Sequence, residues 1–274
     1  MIVFPNCKIN LGLHITGKRY DGYHNLETIF YPLPFYDVLE VLHHSQQDED
    51  YILLTSGIEI EGRPETNLCV KAYRLLKKDF PQLPSVQIHL HKAIPTGAGL
   101  GGGSADGAFM LTLLNDKFKL HLTEEKLLQY ALMLGSDCPF FIINRPSFAT
   151  QRGEALQPIH LHLSGYTLVL VKPGIHVNTG WAFSQVGYSA PNNIKNIMEQ
   201  PAETWQGKLE NAFEKPVFEK YTEIKNIKEQ LLQNGALFAS MSGSGSSVYG
   251  IFNKSIPVSA LLFPPHYFVK QLIL

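Results

Sequence analysis

From Cys7 to Ile15 apolar and polar positions alternate. Cys7, Ile9, Leu11, Leu13 and Ile15 fall on one side, and Lys8, Asn10, Gly12 and His14 on the other. Period two predicts a strand with one apolar face and sets Lys8 and Asn10 together on the opposite face. Asp21-Gly22 marks a turn, after which Leu26 to Leu33 is expected to return as a second strand. Polar residues from His44 to Asp50 predict a loop, and Tyr51 to Glu61 a further strand pair. Helical spacing first appears at Asn67 to Phe80, where Leu68, Ala72, Leu75 and Leu76 share one side and Pro81 stops the run. Val86, Ile88 and Leu90 alternate with Gln87, His89 and His91 in a strand that ends by Pro95. Ser104 to Asn115 reads as a helix of small and apolar residues suited to burial on more than one side. Thr123 to Leu134 predicts another, with Thr123 as cap, two glutamates in the first turn and Gly135 as stop. Ser136-Asp137-Cys138-Pro139 opens a short helix through Ile142.

The pattern resets near residues 150–156, at the polar Arg152-Gly153-Glu154, which predicts two domains, 1–154 and 155–274. Beyond it, Tyr166 to Val171 is a buried strand. Helices are expected over Pro201 to Phe213 and Thr222 to Asn234, the latter with Ile224, Ile227 and Leu231 on one face and Gly235 at its end. Ala236 to Ser240 and Ser247 to Phe252 are strands around Gly243-Ser244-Gly245. The irregular mixture of strands and helices favours an α+β fold over a doubly wound sheet.

Composition narrows the setting. With 274 residues, 45% of them hydrophobic and 17% charged, there is ample material for a core. A net charge of -1 argues against strong general attraction to nucleic acid or an anionic membrane. Cys7, Cys69 and Cys138 are few, odd in number and far apart, which fits neither a disulfide framework nor a zinc spacing and points to a reducing cytoplasm. The start MIVFPNCKIN is broken by Pro5 and Asn6 and does not read as a signal peptide. No apolar run approaches membrane-spanning length.

The chemistry concentrates in "IPTGAGLGGGSADGAF", Ile94 to Phe109, where five of the seven residues from Gly97 to Gly103 are glycine. Gly97 to Gly102 fits the dinucleotide pattern G-x-G-x-x-G, but the loop lies a third of the way along the chain and Asp116 ends a helix instead of the next strand. A P-loop fails because Gly103 stands in place of its lysine. A tight strand–helix turn is the bland alternative, yet fixing five glycines costs entropy that a bound anion would offset. Backbone amides next to a helix start predict phosphate binding. Gly243-Ser244-Gly245 reads equally as a second such loop or a flexible turn. Lys8 could be an ordinary solvated lysine, Asp137 an ordinary helix cap before Pro139, and His24 a turn residue. His89 and His91 share a strand face without a third ligand, so no metal cage is expected there.

Three segments in this order, "KINLGL" at Lys8, "IPTGAGLGGGSADGA" at Ile94 and "MSGSGSSVYGIF" at Met241, resemble the three motifs of the GHMP kinases. "GKRYDGYHNLETIF" from Gly17 and "GSDCPFF" from Gly135 are similar to members of that superfamily that phosphorylate an alcohol carrying a cytidine diphosphate. The resemblance implies a two-domain α+β fold, N-terminally like domain 2 of ribosomal protein S5 and C-terminally ferredoxin-like. It also implies ATP and Mg²⁺ as cofactors. Lys8 and Asp137 match the catalytic pair. Asn67, Lys92, Pro95, Gly97, Ala98, Gly99, Leu100, Gly101, Gly102, Gly103 and Ser104 match nucleotide-binding positions. Asn10, Tyr23, His24, Phe30, Thr179, Phe183, Gly243 and Ser244 match positions around the second substrate, with His24 and Phe183 toward its cytosine. Magnesium ligands are not assigned; Asp106 and Ser104 are candidates, although Asp106 equally suits the helix dipole. A small-molecule substrate, no nucleic acid or membrane partner, and a monomer or weak homodimer complete the expectation. "TGW" at Thr179 replaces the commoner Thr-Pro, so Gly180 is expected to loosen the pocket wall. Asn211-Ala212 lacks an aspartate often found there. A sister kinase for mevalonate or homoserine, or a non-catalytic nucleotide-binding protein, are the competing readings.

Overall fold

A computed structural model describes residues 1–44, 50–188, 193–253 and 261–274. Along the chain run β1 (Ile2–Val3), β2 (Asn6–Lys18), β3 (His24–Tyr36), β4 (Val38–His43) and β5 (Tyr51–Gly57). Then come α1 (Leu68–Asp79), β6 (Val86–Lys92), α2 (Gly102–Phe118), α3 (Glu124–Leu134) and α4 (Cys138–Ile143). The remainder is β7 (Ser147–Thr150), β8 (Ala155–Pro158), β9 (Thr167–Lys172), α5 (Thr179–Gln185), α6 (Ile194–Met198), α7 (Glu214–Lys220), α8 (Thr222–Gln233), β10 (Phe238–Met241), β11 (Val248–Phe252) and β12 (Phe268–Ile273). The loop expected over His44 to Asp50 falls mostly on residues 45–49, outside the described residues.

Packing groups the chain into two compact units, one of Met1–Cys7, Phe35–Thr96 and Gly101–Asn144, the other of Lys8–Pro34, Gly97–Leu100 and Arg145–Leu274. A cut at 154–155 describes order along the sequence. Along the chain the units alternate, because Lys8–Pro34 and Gly97–Leu100 group with Arg145–Leu274.

In the first unit a four-stranded sheet runs in the order β1-β4-β6-β5, with β5 parallel to β6 and the other pairs antiparallel. Helices α1 and α2 pack on each other. Val70, Tyr73 and Leu76 of α1 and Met110, Leu111 and Leu114 of α2 are buried, as are Val86, Ile88 and Leu90 of β6. The strand pair expected over Tyr51 to Glu61 is the single strand β5, since no turn residue interrupts the run before Gly57. Helix α2 begins two residues earlier than its pattern suggested, at Gly102. Glycine has poor helix propensity, so packing of Gly102 against Ile94 overrides the local preference.

The second unit holds two antiparallel four-stranded sheets, β2-β3-β7-β8 and β10-β11-β9-β12. In the latter the strands, counted along the chain, lie 2-3-1-4, the strand order of a ferredoxin-like sheet. Its core joins Val169, Val171, Ala239, Met241, Val248 and Phe252 to Ile224, Ile227 and Leu231 of α8. The helix expected over Pro201 to Phe213 does not form. A single 3₁₀ turn, Ala202–Thr204, gives way to irregular chain, and α7 starts only at Glu214. Trp205 is buried there with its Nε1 donating to the Gln200 carbonyl at 2.9 Å, so tertiary packing replaces helical repetition. Strand β2 departs from the one-faced expectation: from Asn6 to Leu13 both faces are buried, including Lys8 and Asn10.

Candidate functional site

Gly97, Gly99 and Gly101 all take positive φ, at 60°, 77° and 69°, which bends the glycine segment three times in five residues. Its Gly97–Leu100 part belongs to the second unit. The Lys8 amide donates to the Leu100 carbonyl at 2.9 Å, and the Ser247 amide to the Ala98 carbonyl at 3.2 Å. The Gly99 carbonyl accepts from Ser242 Oγ at 2.8 Å and from Lys8 Nζ at 3.2 Å. A methyl group at Gly99 would lie 2.0 Å from the Ser242 carbonyl oxygen, so only glycine permits this approach.

Lys8 Nζ also donates to Asn10 Oδ1 at 2.6 Å and lies 4.8 Å from the centre of the Phe30 ring. Asn10 Nδ2 donates to Thr28 Oγ1, and its carbonyl accepts from the Tyr249 hydroxyl. The shared strand face expected for Lys8 and Asn10 is therefore observed, but as a buried polar network and not as a solvated surface. Asn211, noted in the sequence only for its neighbour, ties down the third glycine segment: its Nδ2 donates to the carbonyls of Met241 at 2.7 Å and Gly243 at 2.8 Å.

Further residues of this unit form an aromatic wall. His24 and Phe183 stack with ring centres 5.0 Å apart and 19° between planes, and Phe183 meets Phe213 edge-on at 4.8 Å. Burial, helped by the charge of Lys18, pulls the His24 pKa below its ordinary value, so its imidazole is neutral at neutral pH. Thr179 Oγ1 lies 3.1 Å from Ser244 Oγ. Tyr23 is exposed, with the Arg152 guanidinium over its ring. Gly180 stands in the first turn of α5. Asn178 caps α5 by accepting from the Trp181 amide at 2.8 Å, and Trp181 packs edge-on against Tyr221 with Lys220 Nζ 3.9 Å from its ring centre.

The first unit carries a cleft of about 270 Å³, lined among others by Leu53, Ile60, Asn67, Lys92, Gly103 and Asp106. Asn67 shapes it by capping α1, its Oδ1 accepting from the Cys69 amide at 2.9 Å. Lys92 is buried, with Nζ bonded to Asp37 Oδ2 and to Asp106 Oδ2, the latter at 2.7 Å. Asp37 Oδ1 accepts from the amides of Ala93 at 2.7 Å and Ile94 at 2.9 Å, which fixes the chain as it leaves β6. Asp106 Oδ1 is buried and has no hydrogen-bond partner among the described residues. Burial, opposed by Lys92 and reinforced by Asp37, pushes the Asp106 pKa up to about 7. Burial alone would lower the Lys92 pKa, but the two carboxylates outweigh it and raise it.

Helix α2 starts with Gly101 in the cap position and no side-chain cap. Its first amides are thus open to a ligand, and Gly103 stands against empty space. Pro95 is buried and Ser104 partly so, hydrogen-bonded with Cys138, whose thiol burial drives up to about 12. Asp137 precedes α4, but its side chain makes no cap bond, which removes the ordinary capping explanation for it. An uncapped helix end in the same unit as a half-apolar cleft suits a nucleoside triphosphate. Among the described residues no group of three or more His, Cys, Asp or Glu could hold a metal ion. Asp37 was not singled out from sequence; an isolated acid between two strands carries no signal of its partners.

The chain matches the GHMP kinases N terminal domain over residues 67–145 and the GHMP kinases C terminal domain over residues 189–262. It is 54% identical, over 96% of each chain, to a Bacteroides fragilis protein named 4-diphosphocytidyl-2-C-methyl-D-erythritol kinase. A Bacteroides thetaiotaomicron protein of the same name is 52% identical over 92% of each chain. The crystal structure of a 4-(cytidine 5'-diphospho)-2C-methyl-D-erythritol kinase superposes with a TM-score of 0.80 at 31% identity, covering 92% of this chain and 90% of that one. No described helix is long and apolar enough to cross a membrane.

Proposed function

The chain belongs to the GHMP kinases, and from that premise we propose that it transfers the γ-phosphoryl group of ATP to the 2-hydroxyl of 4-diphosphocytidyl-2-C-methyl-D-erythritol. The observation that carries this reading is the glycine segment, which leads into a helix whose first amides have no side-chain cap. The substrate follows from the relatives' names together with the His24–Phe183 aromatic pair, which offers flat faces to a pyrimidine.

Asp137 accepts the proton of the attacking hydroxyl, which is tertiary and hardly acidic by itself. Lys8 offsets the negative charge that develops at the reacting centre. The amides from Gly97 to Ser104 and the positive end of α2 hold the phosphates, and the cleft beside Asn67, Lys92 and Pro95 holds the nucleoside. Lys92 meets the nucleotide through its stem or backbone, because its ammonium is engaged by Asp37 and Asp106. Asn10, Tyr23, His24, Phe30, Thr179, Phe183, Gly243 and Ser244 surround the second substrate. Mg²⁺, which arrives on the triphosphate, would neutralise phosphate charge; this chain offers it no cage of its own among the described residues. The enzyme works in the cytoplasm, as a monomer or weak homodimer, without nucleic acid or membrane partners.

The test is ATP consumption by the purified protein with Mg²⁺ across three alcohols: the cytidyl compound, mevalonate and homoserine. Turnover confined to the cytidyl compound is expected. Turnover of mevalonate or homoserine alone reassigns the substrate, and none with any of them leaves a nucleotide-binding protein.

A further inference from the structure

Asp37, Lys92 and Asp106 form a buried cluster whose polar atoms can be counted. Lys92 Nζ meets one oxygen of each carboxylate, and the second Asp37 oxygen takes two backbone amides. Only Asp106 Oδ1 is left without a donor among the described residues, although Asp106 is 3% exposed and lines the cleft. A buried acceptor without a donor costs on the order of 1–3 kcal/mol, so this atom is an incomplete contact on a residue that lines the cleft. The cluster also holds two carboxylates against one ammonium, so a further donor is what it lacks.

We propose that Asp106 Oδ1 is the acceptor for a neutral donor on the nucleoside of ATP, either the amino group of adenine or a ribose hydroxyl. This rests on the ATP reading given above. The cleft's size and mixed walls suit a nucleoside. A phosphate is excluded at this atom, because a carboxylate oxygen repels another anion. The selectivity follows from hydrogen bonding: a site built to bond a donor rejects an analogue that lacks it more strongly than an apolar pocket rejects a missing methylene.

Calorimetry with nucleotides alone at pH 8, where Asp106 is ionised, tests it, without the alcohol substrate. Three nucleotides each delete one donor: purine riboside triphosphate lacks the amino group, and 2'-deoxy-ATP and 3'-deoxy-ATP each lack one hydroxyl. One of the three is expected to bind the native protein about tenfold or more weakly than ATP, and which one identifies the donor. In Asp106→Asn the amide oxygen stays on Lys92, which can only donate, and the amide nitrogen faces the cleft. An acceptor becomes a donor, so ATP should weaken about tenfold while the deleted analogue does not, and the penalty collapses. Equal binding of all three analogues and ATP to the native protein overturns the inference, and that arm needs no variant. A penalty unchanged in a folded Asp106→Asn protein overturns it too. Failure of ATP itself to bind overturns the ATP reading and the inference with it; ATP binding with no penalty overturns the inference alone.

Discussion

Two buried lysines, one in each unit, have different surroundings. In the second unit Lys8 donates to Asn10 Oδ1 and to the Gly99 carbonyl. In the first, Lys92 sits between the carboxylates of Asp37 and Asp106. Around Lys92 two carboxylates face one ammonium, whereas the bonds from Lys8 to Asn10 and Gly99 run to neutral oxygens. Lys8 carries the reaction role proposed above, and Lys92, equally buried, is suited by its two carboxylates to fixing backbone. Lys92 does so through Asp37, which holds the exit of β6, and Asp106, which holds the first turns of α2.

The largest effects should fall on the reacting pair. Asp137→Asn is expected to lose at least about a hundredfold in turnover while ATP and the cytidyl substrate still bind, because general-base help is worth that much. Steady-state kinetics with a binding measurement checks it, and near-normal turnover would remove Asp137 from the base role. Lys8→Met should also lose about a hundredfold or more in turnover, comparable to the loss of one donor from an oxyanion site, yet unfold close to the native temperature. It leaves Asn10 Oδ1 without this donor, while Ser242 still serves Gly99.

Lys92→Met inverts that pattern. Two buried carboxylates lose their cation, and breaking a buried ion pair from one side costs about 3–5 kcal/mol. Urea unfolding should show that loss. If Lys8→Met proved the more destabilising of the two variants, the division of labour drawn above would fail.

Much of this contrast was legible in sequence only as far as local order reaches. Helices α1, α3 and α8 follow from period and, in α3, from its cap: Thr123 accepts the expected amide, and Ile224, Ile227 and Leu231 face the core. The pairing of Lys8 with Asn10 follows from strand periodicity. Its burial does not, because the groups that cover it, Gly99 and Ser242, are 91 and 232 residues away. Asp37 was invisible for the same reason, its ammonium partner lying 55 residues on. The helix misread over Pro201 to Phe213 fails through tertiary packing of Trp205, which no local rule encodes. The GHMP motifs supplied what local physics could not, by pointing to Lys8, the glycine segment and Asp137 together.

The smallest effect concerns the excess carboxylate. An isolated aspartate titrates near 3.8, and Asp106 in the folded chain at about 7. Between those values the folded state keeps a proton that the unfolded chain has released. Stability contributed by this group is therefore present at low pH and falls as pH rises from about 4 to about 7. Asp106→Asn cannot ionise, so it mimics the protonated form. Its melting temperature without nucleotide should lie close to that of the native protein at pH 4 and exceed it by a few degrees at pH 8. Scanning fluorimetry at the two values decides the point. A variant less stable at pH 8 than the native protein would mean that the Asp106 charge is needed to hold Lys92, and that the two carboxylates share the ammonium without excess.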